Sequence, residues 1–312
     1  MRIGLVVDSA CDLPPDFYRD NRLVILPITI RIGKQQFVDQ RDPQATLDFY
    51  HQHLSNAAQG ETEAFSVEQI KQLFLEKLVV DYDFVLTLIL ASSRSPMFEH
   101  ATQASLSILS EYKPIRAKAG LNTPFALRVV DTQNLFAGQG VLAVEAVRMI
   151  KSGAPPNRIR ERLEALIPNL YAYMLPNNLG HLRTRAAKKG DRSVGWFKYA
   201  VASTLDIKPL LRAYRNDTRP VANLRHYGEG AQHCFEFIIR KINQGLLTPT
   251  LCLSYSGELA NLEKMLGYRK MREVAEKAGV EVFVSLMSIT GAVNVGEGSL
   301  VFAFCAEPHE FE

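Results

Sequence analysis

Four short apolar runs in the first half of this chain, at residues 3–7, 23–30, 84–90 and 127–130, each break off into Gly, Pro, Ser or Asp. Short apolar runs bounded by turn formers read as strands buried on both faces, as parallel sheets require. Between them lie patterns with helical spacing at residues 67–79, 99–111 and 140–152, the first opened by Ser66 and Gln69 as a capping box. Strand and helix in alternation predict a layered α/β domain with a largely parallel sheet. The first run is the most telling. Ile3-Gly4-Leu5-Val6-Val7 passes straight into Asp8-Ser9-Ala10-Cys11-Asp12-Leu13-Pro14. Asp8, Ser9 and Asp12 therefore stand at a strand's carboxyl tip, where open α/β sheets collect ligands.

A break at Ser152-Gly153-Ala154-Pro155-Pro156 separates this half from one with a different pattern. There a helix is expected at 157–166, strands at 171–175, 220–224, 250–255 and 280–285, and helices at 229–243 and 258–278. A glycine-rich turn over 291–300 should lead into a final strand at 300–305. This predicts a second α/β sandwich, with domains at 1–165 and 166–312. A length of 312 residues, 47% of them hydrophobic, is enough for two cores.

Composition removes several function classes. A formal charge of +3, with Lys and Arg dispersed except over 183–192, argues against bulk nucleic-acid binding. Cys11, Cys234, Cys252 and Cys305 form no C-x-x-C pair, so neither a zinc site nor a disulfide framework is expected, and reduced thiols fit a cytoplasm. No apolar run approaches the roughly 18 residues of a membrane span, and no basic n-region precedes the first strand. With no G-x-x-x-x-G-K-[ST] loop and no metal-binding set, the chain is not expected to phosphorylate anything by itself or to carry a cofactor.

Small hydroxyls gather at three places: Asp8-Ser9, the segment from Thr62 to Ser66, and Ser92-Ser93-Arg94-Ser95 after the strand at 84–90. In a parallel sheet the first and third share an edge, and a helix starting near Pro96 aims free N–H groups there, which suits a carboxylate or phosphate. Each Ser or Thr taken alone also reads as an N-cap or turn residue. A rival class is a Ser- or Cys-dependent hydrolase or acyltransferase, which needs a base within reach. None of the seven histidines stands in a nucleophile-elbow or papain-like pattern. His100 follows Ser93 by seven residues on a helix, Cys11 reads as a small buried hydrophobe, and His51-Gln52-His53 lacks the spacing of a helical metal pair.

The opening stretch resembles the V-x-D-S-x-C-D-L-P signature of the DegV family. Further similarities follow in order. Thr62-Glu63-Ala64-Phe65-Ser66 resembles the family's T-S-Q-P segment with the S-Q-P replaced, and Ser92-Ser93-Arg94-Ser95-Pro96-Met97 resembles S-S-x-L-S-G-T, one residue shorter and without the glycine. Asp131-Thr132 through Gly138-Gln139-Gly140, Leu205-Asp206-Ile207-Lys208-Pro209-Leu210-Leu211 and Leu224-Arg225 are similar to later family motifs. The resemblance spans nearly the whole chain. It implies a two-domain fold with a tunnel at the domain interface that holds a single long-chain fatty acid. The carboxylate is then held by Thr62 and Ser93, with Ser92 and Ser95 nearby and Asp8 and Ser9 as supports, without a permanent ion pair. It also implies a monomeric, non-enzymatic carrier that presents the acid to a separate fatty acid kinase subunit. The docking residues would be Arg192, Arg225 and, where the family has a histidine, Asn294. Because Asn carries no charge and shuttles no proton, a diverged carrier for another amphipathic acid, serving no kinase, stays open beside that reading.

Overall fold

The structure, a computed structural model, describes residues 1–189 and 206–312. Its first sheet is four-stranded and all parallel, in the order β2 (Val24–Leu26), β1 (Ile3–Asp8), β6 (Phe84–Ile89), β7 (Ala126–Asp131). After their first residue β1 and β6 are buried throughout. Coverage on both faces is why these strands read as unbroken apolar runs.

The single strand expected over 23–30 is two. Pro27 has no N–H to donate to a ladder, so β2 ends at Leu26 and β3 (Ile28–Ile32) leaves for another sheet. That sheet is antiparallel, in the order β4 (Gln35–Asp39), β3, β5 (Glu61–Ala64). The capping box expected at Ser66 and Gln69 is present with both of its hydrogen bonds.

The second half builds a six-stranded mixed sheet, in the order β10 (Asp217–Arg225), β9 (Ile207–Tyr214), β8 (Leu170–Leu175), β13 (Leu300–Cys305), β11 (Thr250–Tyr255), β12 (Glu281–Leu286). Alternation divides its faces. Tyr171, Tyr173, Leu175, Phe302 and Phe304 point one way and meet Phe237 of the Tyr227–Gln244 helix, with the Tyr173 and Phe302 rings stacked at 5.1 Å. Leu170, Ala172, Met174, Val301 and Ala303 point the other way, into a core shared with the parallel sheet.

The helix α6 (Ala137–Lys151) lies between the two sheets, against β1 and β6 on one side and β8, β11 and β13 on the other. Every residue from Ala137 to Val147 is buried. Small side chains make this possible: Ala172 and Ala303 face α6 from the sheet, and Gly138 and Gly140 lie on the helix itself.

Two expectations about the second half are corrected. The helix expected over 258–278 is two, Leu259–Glu263 and Tyr268–Lys277, parted at Gly267, whose φ of +92° only glycine adopts at little cost. The stretch expected as a glycine-rich turn begins as a helix, Ile289–Val295, because the Ser288 side chain caps it by accepting the Gly291 N–H at 2.9 Å. The turn proper is confined to Gly296 and Gly298, at φ +92° and +70°.

At Gly140 a Cβ would stand 2.9 Å from the Asp12 carbonyl oxygen and 3.3 Å from the Cys252 sulfur. Gly140→Ala should therefore lower stability by about 1–3 kcal/mol through overpacking, although helix propensity alone favours Ala by about 1 kcal/mol. Urea denaturation decides between the two, and an equally or more stable variant would show that the layers have room to part.

Candidate functional site

A cavity of about 540 Å³ lies where the carboxyl end of β6 faces the six-stranded sheet. Its walls are mostly apolar. Ile28 and Ala64 come from the small sheet, Leu90 follows β6, Leu135 and Phe136 precede α6, and Met174 and Leu211 come from β8 and β9. Thr62, Ser93, Arg94, Ser95, Arg185, Thr218, Thr290 and Asn294 supply the polar lining.

Local geometry explains which side chains reach the cavity. On β5 the pleat sends Glu61 and Glu63 out to solvent and turns Thr62 and Ala64 inward. Ser95 Oγ accepts the Met97 N–H at 3.2 Å, which leaves its own hydroxyl proton to donate. The Ser93 hydroxyl donates to the Asn216 carbonyl at 2.6 Å. Asn216 occupies the β9–β10 turn, where Arg215 and Asn216 both have positive φ, as a tight I′ hairpin demands. Asn216 Nδ2 and the Ser92 hydroxyl both donate to Asp131 Oδ2, at 3.0 and 2.5 Å. Ser92 thus faces a carboxylate in this latch and is not among the residues lining the cavity.

The opening motif builds walls. Asp8 accepts N–H groups from Ala10, Leu90 and Gln139 at 3.0, 2.7 and 2.9 Å, tying β1 to the loop after β6 and to α6. Ser9 Oγ accepts the Ile28 N–H at 3.1 Å and so fixes the start of β3. Asp12 accepts from Arg41 Nη1 at 3.1 Å and from the Ser288 N–H at 2.8 Å. Arg41 Nη2 donates to the Leu286 carbonyl at 2.9 Å, and Asp39 accepts both the N–H and the hydroxyl of Thr290, at 2.9 and 2.8 Å. These bonds position the Ile289–Val295 helix, which brings Thr290, Asn294 and Val295 to the cavity.

The docking residues fare differently. Arg225 is exposed at the end of β10, away from the cavity lining. Arg192 lies outside the described residues. Asn294 faces inward from a helix: its Nδ2 donates to the Thr290 carbonyl at 2.7 Å and its Oδ1 accepts from Arg185 Nη2 at 2.8 Å.

Sequence reasoning missed Arg185. It lies on the Leu179–Lys189 helix, three residues after the buried Leu182, and is itself only 3% exposed. The i, i+3 spacing from Leu182 was the available signal, hidden in a stretch of Arg and Lys that reads as a solvated face.

Three of the histidines and Cys11 are held as follows. His100 Nδ1 bonds the Phe65 carbonyl at 2.7 Å, His181 Nε2 the Val293 carbonyl at 2.8 Å, and His51 pairs with Glu258. The Cys11 thiol is fully buried, which pushes its pKa well up and leaves it protonated. Among the described residues no helix is long and apolar enough to cross a membrane.

A sequence model of the DegV family, described as an uncharacterised protein family, matches residues 2–307. The chain belongs to the DegV family. It is 53% identical over 312 residues to a DegV domain-containing protein of Xanthomonas campestris pv. campestris, covering 100% of this chain and 99% of that protein. The fold matches a DegV lipid binding protein from Thermotoga maritima with a TM-score of 0.76 at 21% identity, over 99% of this chain and 100% of that one. It also matches a stearic acid-binding protein from Eubacterium ventriosum with a TM-score of 0.75 at 18% identity, over 97% and 98% of the two chains. The mixed α/β architecture, a parallel sheet joined to a separate mixed sheet, is that of these DegV structures.

Burial pushes the Asp8 carboxyl up to about 6, against the pull of its three N–H donors. An acid whose pKa is raised by folding adds stability that is complete below the unfolded value near 4 and fades as pH rises through about 6. The slope is at most about 1.4 kcal/mol per pH unit. The difference in unfolding free energy between the native chain and Asp8→Asn should therefore shift in the native chain's favour between pH 7 and pH 5. Denaturation at the two pH values measures this, and a pH-independent difference would count against it.

Proposed function

We propose that this chain binds one long-chain fatty acid, the acyl chain lying in the cavity between the sheets and the carboxylate held by Thr62 and Ser93, with Ser95 beside them. The observation that carries this reading is a mostly apolar cavity of about 540 Å³ in which Thr62, Ser93 and Ser95 share one lining with Ile28, Leu90, Phe136, Met174 and Leu211. That volume falls within the range of small-molecule sites. Relatives of the same fold support it, since one is described as a lipid binding protein and another as binding stearic acid. Burial of an acyl chain contributes roughly 0.8 kcal/mol per CH₂, on the order of 10 kcal/mol gross for a dozen carbons. Part of this offsets the ordering of the chain. Apolar contacts thus dominate affinity, and the hydroxyls set orientation. Ser93 must exchange its bond to the Asn216 carbonyl for one to the ligand, whereas Ser95 has its proton ready.

The chain serves as a carrier, and the exposed Arg225 is available to a kinase subunit that would phosphorylate the bound acid. Protein purified from a bacterial host should carry a fatty acid seen by native mass spectrometry and removed by solvent extraction. Ligand-free protein that no added fatty acid stabilises against heat would overturn the proposal. Thr62→Val combined with Ser95→Ala should weaken binding about a hundredfold or more, as two hydrogen bonds to a charged carboxylate of roughly 1.5 kcal/mol or more each imply. Arg225→Ala should leave fatty acid affinity unchanged and lower acyl phosphate formation when a bacterial fatty acid kinase subunit and ATP are supplied. Equal acyl phosphate yields would remove Arg225 from docking.

A further inference from the structure

Arg185 is a buried cation on the cavity wall whose hydrogen bonds are only partly satisfied. Nη1 donates to the Gly60 carbonyl and Nη2 to Asn294 Oδ1, both uncharged acceptors. Nε is buried and has no hydrogen-bond partner among the described residues. The carboxylate whose charge reaches it is Glu61, an exposed residue on the outward side of β5. Desolvation of this kind is costly and pulls the guanidinium pKa down, yet arginine stays charged in proteins. A buried cation held in place by two neutral acceptors, on the wall of a mostly apolar cavity, is complementary to an anion that arrives with an apolar body.

We propose that Arg185, held in place by Gly60 and Asn294, is the charge partner of the ligand's acid group and makes the cavity selective for anionic over neutral amphiphiles of the same length. This rests on the fatty acid reading and departs from a headgroup held by hydroxyls alone. Asn294 fits the arrangement because it is neutral: a side chain there must hold Nη2 without neutralising it. An aspartate at the same place would supply the anion internally. A protonated histidine would repel the guanidinium.

The test uses the delipidated full-length chain with hexadecanoic acid and hexadecan-1-ol, whose tails are the same. The native chain should bind the acid at least tenfold more tightly than the alcohol. Arg185→Gln should lose at least tenfold in acid affinity while alcohol affinity stays within about twofold, and Asn294→Asp should do the same by occupying the cation. With ¹³C-carboxyl-labelled acid, the bound carboxyl should titrate at lower pH in the native chain than in Arg185→Gln, a readout that a purely structural arginine would not move. An unchanged acid-to-alcohol ratio in both variants overturns the inference and leaves fatty acid binding standing. A native chain that binds neither probe overturns the lipid reading itself, and this inference with it. If Arg185→Gln does not fold, Asn294→Asp decides the matter, because it keeps the arginine and adds a paired carboxylate.

Discussion

Two buried carboxylates and one buried arginine hold the walls of this molecule together. Asp12 and Arg41 lie in the first fifty residues, yet between them they bind the backbone at Leu286 and Ser288. Asp39 binds Thr290 through both its backbone and its hydroxyl. Buried charges are costly unless every lone pair and proton finds a partner. Here much of that demand is met by main-chain groups from the opposite end of the chain. The arrangement is therefore geometrically specific: the Ile289–Val295 helix satisfies these charges in one position, and that position sets where Thr290, Asn294 and Val295 meet the cavity.

The cavity exists because α6 keeps the two sheets apart along most of their length but starts only at Ala137. Where the helix is present, glycine and alanine let the layers close down on it. Beyond its amino terminus Phe136 turns through a positive φ of 51°, and the space it leaves is bounded by loops and by the hairpin of β9 and β10. That hairpin is latched across the gap, with the Ser93 hydroxyl on the Asn216 carbonyl and the Asn216 N–H on the Gln133 carbonyl. Ser93, which a ligand would address, thus also joins the parallel sheet to the mixed one.

What the sequence made legible was what depends on local pattern. Short, largely apolar runs marked β1, β6 and β7, and the pairing of Ser66 with Gln69 marked a helix start to the residue. Thr62, Ser93 and Ser95 do share one cavity, because strand tips and alternating pleats follow from short-range rules. Errors arose where a residue type has two uses. Glycines at 291, 296 and 298 look alike in sequence, although Gly291 belongs to a capped helix and the other two to its exit. Asn294 carries no local mark of turning inward, because its partner Arg185 lies 109 residues away in sequence. A basic side chain within a basic stretch carries no local mark of burial. Its direction is set by packing of Leu182 and by acceptors at Gly60 and Asn294, which only the assembled fold supplies.

The opening motif can now be given its physical place. Asp8, at the carboxyl tip of β1, sits where α/β sheets commonly meet ligands, and an anionic ligand would be repelled by it at short range. Both of its oxygens are instead turned toward N–H donors of the protein: Oδ1 toward Ala10, Oδ2 toward Leu90 and Gln139. A carboxylate so enclosed projects little charge beyond its donors and fixes the loop that carries Ser93 and Ser95. Negative charge is held inside the walls, while the buried cation Arg185 is among the residues that line the cavity. Such a separation of charge would let a strand tip rich in acidic residues stand beside the acid site proposed above.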